Sequence, residues 1–280
     1  MKTIKTIISI FLISISLTSC SDNDENNEID PLTELNMLTS LQANTHTLEL
    51  YSAQSQFTVG YNELFIRIKD ASDMYISDAT ISWNTVMHMT SMMHSCPKSE
   101  VSKTDDASVY SGFIIFQMPG NDTEYWDLTI NYTVNGESYT VTEQIEVKAP
   151  LDGMQRVSVF TGSDNARYIL AMMPLEPKVA VNDFSALLYK MESMMVFSPV
   201  LNQTIALDPR MPSMGNHSSP NNVDLTYNTT EKMYEGKLAL TMTGYWKLNL
   251  KLLNESGDVL KGEDITETNL SSSLYLEIEF

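Results

Sequence analysis

A methionine-rich string occurs twice in this chain, and the duplication restricts the fold to one built from two copies of the same unit. Met89-Thr-Ser-Met92-Met93-His94-Ser-Cys96-Pro97 returns as Met211-Pro-Ser-Met214-Gly-Asn-His217-Ser-Ser-Pro220, displaced by 122 to 123 positions. The blocks that follow are kept as well. Tyr110-Ser-Gly112, Phe116-Gln-Met118 and Tyr125-Trp126-Asp-Leu128 correspond to Tyr234-Glu-Gly236, Leu240-Thr-Met242 and Tyr245-Trp246-Lys-Leu248. Spacing holds too, with 13 positions from Pro97 to Tyr110 and 14 from Pro220 to Tyr234. Matching blocks in one order mark a repeated supersecondary unit. Lys148-Ala-Pro150-Leu-Asp-Gly153, punctuated by Pro and Gly, reads as the linker. It separates a first module over 41–149 from a second over 150–280.

Each module reads as β. Glu63 to Lys69 alternates Leu64, Ile66 and Ile68 with Phe65, Arg67 and Lys69, the period of a half-buried strand. Ala79 to Trp83, Tyr110 to Gln117, Asp127 to Val134 and Ser138 to Val147 follow the same rule, and Asn135-Gly136 is a two-residue hairpin signal. In the second module Arg156 to Thr161, Arg167 to Met172, Phe184 to Met191, Lys237 to Thr241, Trp246 to Leu252 and Leu274 to Phe280 read as strands, with a turn at Asn254-Glu-Ser-Gly257. Helical patterns are short and weak. The expected fold is all-β: two tandem immunoglobulin-like antiparallel β-sandwiches. Trp126 and Trp246 are expected to anchor the two cores, and Met172-Met173 and Met194-Met195 to pack inside them.

The first twenty residues set the address. Lys2 and Lys5 precede an apolar run from Ile7 to Leu17, too short for a membrane span. The run ends in Leu17-Thr18-Ser19-Cys20, which resembles a bacterial lipobox; the resemblance implies that Cys20 is acylated and anchors the chain to a lipid bilayer. Residues 21–40 open with Ser21-Asp22-Asn23-Asp24-Glu25 and read as an acidic, solvated tether. An acidic run after the lipid cysteine resembles the export signal of Bacteroidetes-type outer-membrane lipoproteins, which face the periplasm or the cell surface. Cleavage before Cys20 removes two of 17 basic residues and none of 36 acidic ones, leaving 15 − 36 = −21. That charge repels phosphate backbones and argues against nucleic acid as a partner.

The repeated string carries the candidate chemistry. Thioether sulfur is a soft ligand that prefers Cu(I), and an adjacent imidazole completes such a site. Both strings lie between strands, where Pro, Gly, Asn and Ser mark loops, and loops on a rigid sandwich hold binding residues. Met89, Met92, Met93 and His94 form the first candidate metal site, with Cys96 as a further ligand, since it is the one thiol left when Cys20 carries lipid. Met211, Met214 and His217 form the second. Met118 and Met242 end equivalent strands and stand open to two roles, a third sulfur ligand or a core side chain. The bland reading is that methionines fill irregular gaps in a core. Zinc is served by His, Cys and carboxylate and calcium by clustered oxygens, and neither matches the string.

The modules resemble the YtkA-like/FixH-like domains, through Met211-Pro212-Ser213-Met214, His217, Tyr234, Gly236, Met242 and Trp246. The first copy lacks the proline after Met89 and adds Cys96. The resemblance implies an extracytoplasmic immunoglobulin-like sandwich linked to copper handling or oxidase assembly, with a delivery or assembly partner. The expected function is a membrane-anchored copper-binding lipoprotein for Cu(I) buffering, delivery or resistance. The competing expectation is a non-catalytic structural or accessory surface lipoprotein made of stacked domains. An enzyme is not expected: the chain has no Gly-x-Ser-x-Gly elbow, no phosphate loop and only four histidines.

Overall fold

The computed structural model describes residues 30–280; the signal segment, Cys20 and the tether up to residue 29 lie outside the described residues. The N-terminal half runs through β1 (Asn36–Ala43), β2 (His46–Ser52), β3 (Phe57–Thr58), β4 (Gly60–Lys69), β5 (Thr80–His88), β6 (Met93–His94), β7 (Ser102–Lys103), β8 (Tyr110–Phe116), β9 (Tyr125–Val134), β10 (Glu137–Ile145) and β11 (Val147–Lys148). The C-terminal half follows with β12 (Val157–Thr161), β13 (Arg167–Met172), β14 (Val181–Ser193), β15 (Val196–Pro199), β16 (Thr204–Met211), β17 (His217–Ser218), β18 (Val223–Asn228), β19 (Met233–Ala239), β20 (Tyr245–Leu253), β21 (Val259–Lys261) and β22 (Leu274–Glu279).

The chain is all-β and its sheets are antiparallel, apart from the short parallel pair β11–β3. In the N-terminal half one sheet runs β1-β2-β4-β8-β7 and the other β10-β9-β5-β6. Lettering β2, β4, β8 and β7 as A, B, E and D, and β5, β9 and β10 as C, F and G, reproduces the immunoglobulin order, with β1 as an added outer strand. The C-terminal strands belong to one 11-stranded sheet, within which a similar order recurs. β13, β14, β19 and β18 take the A-B-E-D places and β16, β20 and β22 the C-F-G places; β18 pairs with both β19 and β16 and joins the two layers.

Shared residues in the two halves do shared mechanical work. Trp126 and Trp246 are fully buried, and each indole N–H donates to a methionine carbonyl, Met118 O and Met242 O, at 3.0 Å. The Tyr110 hydroxyl accepts from Ala79 N at 2.8 Å, and the Tyr234 hydroxyl donates to Val200 O at 3.0 Å, so each tyrosine pins the crossover entering strand C. Gly112 and Gly236 sit where the segment on the strand-D side closes in: a Cβ on Gly236 would stand 2.5 Å from Val223 O, and one on Gly112 2.7 Å from Ser99 Oγ. Asn135 (φ 52°) and Gly136 (φ 82°) turn β9 into β10 with both residues left-handed, as a type I′ hairpin requires.

Core residues from both layers form one cluster in each half, centred on Trp126 and on Trp246. A third cluster lies between the halves, where Ile115 meets Val157, Ile169, Ala171, Leu187 and Tyr189. The linker turns at Gly153, whose N–H donates to Pro150 O at 3.0 Å, and leaves Leu151 89% exposed. The expected tether to residue 40 is too long. Leu32 is buried and Asn36 to Ala43 is already strand β1. Asp30 is 2.7 Å from the guanidinium of Arg67, which is buried in β4 and also faces Asp106 at 3.6 Å. A buried guanidinium needs such carboxylates, and this pairing holds the entering chain down.

Candidate functional site

The first string folds as a hairpin. Met87 and His88 pair with His94 and Met93, and Met89 N donates to Met92 O at 3.0 Å, so Met89 to Met92 forms the turn. Alternation then sorts the side chains. Met87 is fully buried, and His88 contacts Asp127 at 2.8 Å and stacks on Tyr125, so both belong to the sandwich. Met89 is half-buried against the N-terminal core, Met92 is exposed, and His94 is buried.

A cavity of about 260 Å³ opens beside this hairpin. It is lined by Met89, Met92, His94 and Met118 from the N-terminal half and by Met191, Met194 and Arg167 from the C-terminal half, with Gln117 and Val159. Five thioethers and one imidazole therefore border one space, and no carboxylate does. The His94 ring stands edge-on to Trp126 at 5.3 Å. Its Nδ1 is 2.8 Å from Ser95 O. A carbonyl only accepts, so Nδ1 carries the proton, and in the neutral ring Nε2 keeps its lone pair. This bond to a backbone carbonyl is the kind that orients metal-ligating histidines. Gln117 Nε2 is buried without an acceptor among the described residues.

Four of the expected first-site residues, Met89, Met92, His94 and Met118, are brought together. Two are not. Met93 is 57% exposed and is not part of the cavity lining. Cys96 is a correction: it has no exposed surface, its sulfur is 2.9 Å from Thr85 Oγ1, and burial pushes the thiol up to about 12. Ser95 to Pro97 are all buried as the chain folds back over the core edge, which turns the sulfur inward. A protonated thiol is a poor ligand.

The second string is not gathered in this way. Met211 is 3% exposed in the C-terminal core and Met242 is half-buried against the same cluster, whereas Met214 and His217 are exposed. Pro212 starts a single 3-10 turn over Pro212–Met214, and Gly215 and Asn216 follow at φ 66° and 59°. The extra residue between Met214 and His217 rebuilds the loop, and its donors are split between core and solvent.

Met191 and Met194 were the contributors missed. Met194 and Met195, expected inside the core, are 39% and 43% exposed at the β14–β15 turn. Met194 O accepts from Ser95 N at 2.8 Å, which joins this turn to the first string. The signal was present: Met191-Glu-Ser-Met194-Met195 repeats Met89-Thr-Ser-Met92-Met93 in pattern.

Among the described residues no group of three or more His, Cys, Asp or Glu side chains is placed to hold a metal. No described helix is long and apolar enough to cross a membrane. No protein-family model matches the sequence, and no curated protein does. Among solved structures, the chain is similar to a DUF4785 family protein from Legionella pneumophila, with 10% identity and a TM-score of 0.26. The match covers 77% of this chain and 55% of that one.

Proposed function

We propose that this chain is an extracytoplasmic soft-metal-binding protein, with Cu(I) as the ion, held at the Met/His cavity beside the β5–β6 hairpin. The observation that carries the reading is the lining: Met89, Met92, Met118 and His94, joined by Met191 and Met194, with no acidic side chain and with Arg167 as its one permanently charged member. Neutral thioethers and an imidazole suit a soft monovalent ion and offer little to a hard divalent one. Methionine has three rotatable bonds, so these side chains close on an ion much smaller than the cavity. Partial exposure of Met92 and Met194 leaves a route for capture and release. Acylation at Cys20 would tether the protein to the outer membrane, on its periplasmic or outer face, where it buffers copper or hands it to a delivery or oxidase-assembly partner. The YtkA-like/FixH-like resemblance and the division into modules at 41–149 and 150–280 belong to the same reading.

Anaerobic titration of the mature protein with Cu(I), in competition with a chromophoric chelator, tests it. Met92→Ala with His94→Ala is expected to weaken binding by about tenfold or more, a loss of ~1.4 kcal/mol. Met214→Ala with His217→Ala is expected to leave it unchanged. The dispersal of the second string between core and solvent favours the other reading, a structural or accessory surface lipoprotein; failure of the protein to compete with a moderate chelator would select it.

A further inference from the structure

We infer that one ion is bound per chain and that the two halves hold it jointly, the β14–β15 hairpin supplying Met191 and Met194 to the site that Met89, Met92 and His94 begin. The inference rests on the soft-metal reading above and specifies how that site is built. Three observations support it. The two hairpin turns carry the same Met-x-Ser-Met-Met pattern and border one cavity. A backbone hydrogen bond, Ser95 N to Met194 O at 2.8 Å, fixes one turn against the other. Met191 packs on the apolar cluster between the halves, next to Leu187 and Tyr189 on its own strand, so its position is set by the same contacts that seat the halves together.

Both halves contribute donors to the one cavity. The C-terminal half brings two thioethers to the cavity and no imidazole, while the N-terminal half brings three thioethers and the one histidine. The repeated Met/His string had implied two candidate sites, one in each module; the cavity instead draws on a third methionine string. An ion shared this way acts as a cross-link. A ligand that binds only the docked arrangement stabilises it, so metal loading is coupled to the seating of the halves.

The full mature chain is titrated anaerobically with Cu(I) against a chromophoric chelator, as wild type, Met191→Ala/Met194→Ala, Met194→Ala and Met195→Ala. Met194 and Met195 are both exposed turn residues, so their single variants fold, and only Met194 lines the cavity. Expected are one equivalent for wild type, weakening of about tenfold or more for Met194→Ala and the double variant, and no change for Met195→Ala. Amide hydrogen exchange is followed in parallel, and Cu(I) is expected to protect both 89–95 and 191–196. Two equivalents, or unchanged affinity in Met194→Ala and the double variant with protection confined to 89–95, overturns joint binding and leaves the soft-metal reading standing. Absence of binding by wild type overturns both.

Discussion

The Cys96 sulfur lies 2.9 Å from Thr85 Oγ1 with no exposed surface, and burial, ahead of any charge nearby, pushes the thiol up to about 12. It is therefore expected to resist thiol-specific labelling in the folded protein at pH 8 and to react once denaturant unfolds the chain; rapid labelling under native conditions would contradict its placement. A thiol whose folded value is raised above its ordinary 9.0 favours the folded state fully below that value and disfavours it progressively as pH rises toward 12. Backbone crowding decides another position. Gly236→Ala would bring a Cβ to 2.5 Å from Val223 O, and its expected cost is about 1–3 kcal/mol, measured by denaturant unfolding. The Tyr-x-Gly pair was visible in the sequence as part of the repeat, but its reason is a tertiary approach between strands. The direction of Cys96 was not visible, because three successive buried residues, Ser95 to Pro97, follow no alternation that a sequence pattern would reveal.

Strand B of each half begins with the same brace. Asn62 accepts from Thr58 N and donates to Thr58 O and Gly60 O; Asn182 accepts from Lys178 N and donates to Lys178 O and Ala180 O. Each side chain closes the backbone loop that leads into its strand. Asn62→Ala and Asn182→Ala are expected to destabilise their halves to a similar extent, about 1–3 kcal/mol, because buried backbone partners are left unpaired. Unequal effects in thermal unfolding would show that the two braces are not equivalent. Strand B itself was legible from alternation at Leu64, Ile66 and Ile68, as was the Asn135-Gly136 turn. The β14–β15 hairpin was not. Its Met194-Met195 pair continues an apolar run, and nothing local separates a turn that lies against a distant hairpin from a strand that enters a core.

Across the whole molecule, the ion pair between Asp30 and the buried Arg67 ties the start of the described chain to the N-terminal sheet. The hydrogen bond from Arg67 holds the Asp30 carboxyl below its ordinary 3.8. Its contribution to stability is thus present above that value and is lost as pH falls through the lower folded one. Asp30→Asn is expected to lower stability at neutral pH, with the gap to wild type narrowing as pH falls below about 4; a gap that does not narrow in acid would assign the effect to packing. Acylation of Cys20 has its own check: Cys20→Ala is expected to abolish incorporation of a labelled fatty acid and release the protein from membranes. The duplicated β-pattern made the all-β architecture readable at this scale. The cavity was not readable, since it depends on how Ile115 meets Ile169 and Leu187 rather than on any segment.

Two of the three indoles occupy matched places, each bonded to a methionine carbonyl, yet only Trp126 touches the imidazole that borders the cavity. Its counterpart Trp246 belongs to the half whose histidine, His217, stands in solvent. If the proposed ion lodges near His94, emission from Trp126 is expected to fall more than emission from Trp246, so that occupancy could be followed without attaching a dye.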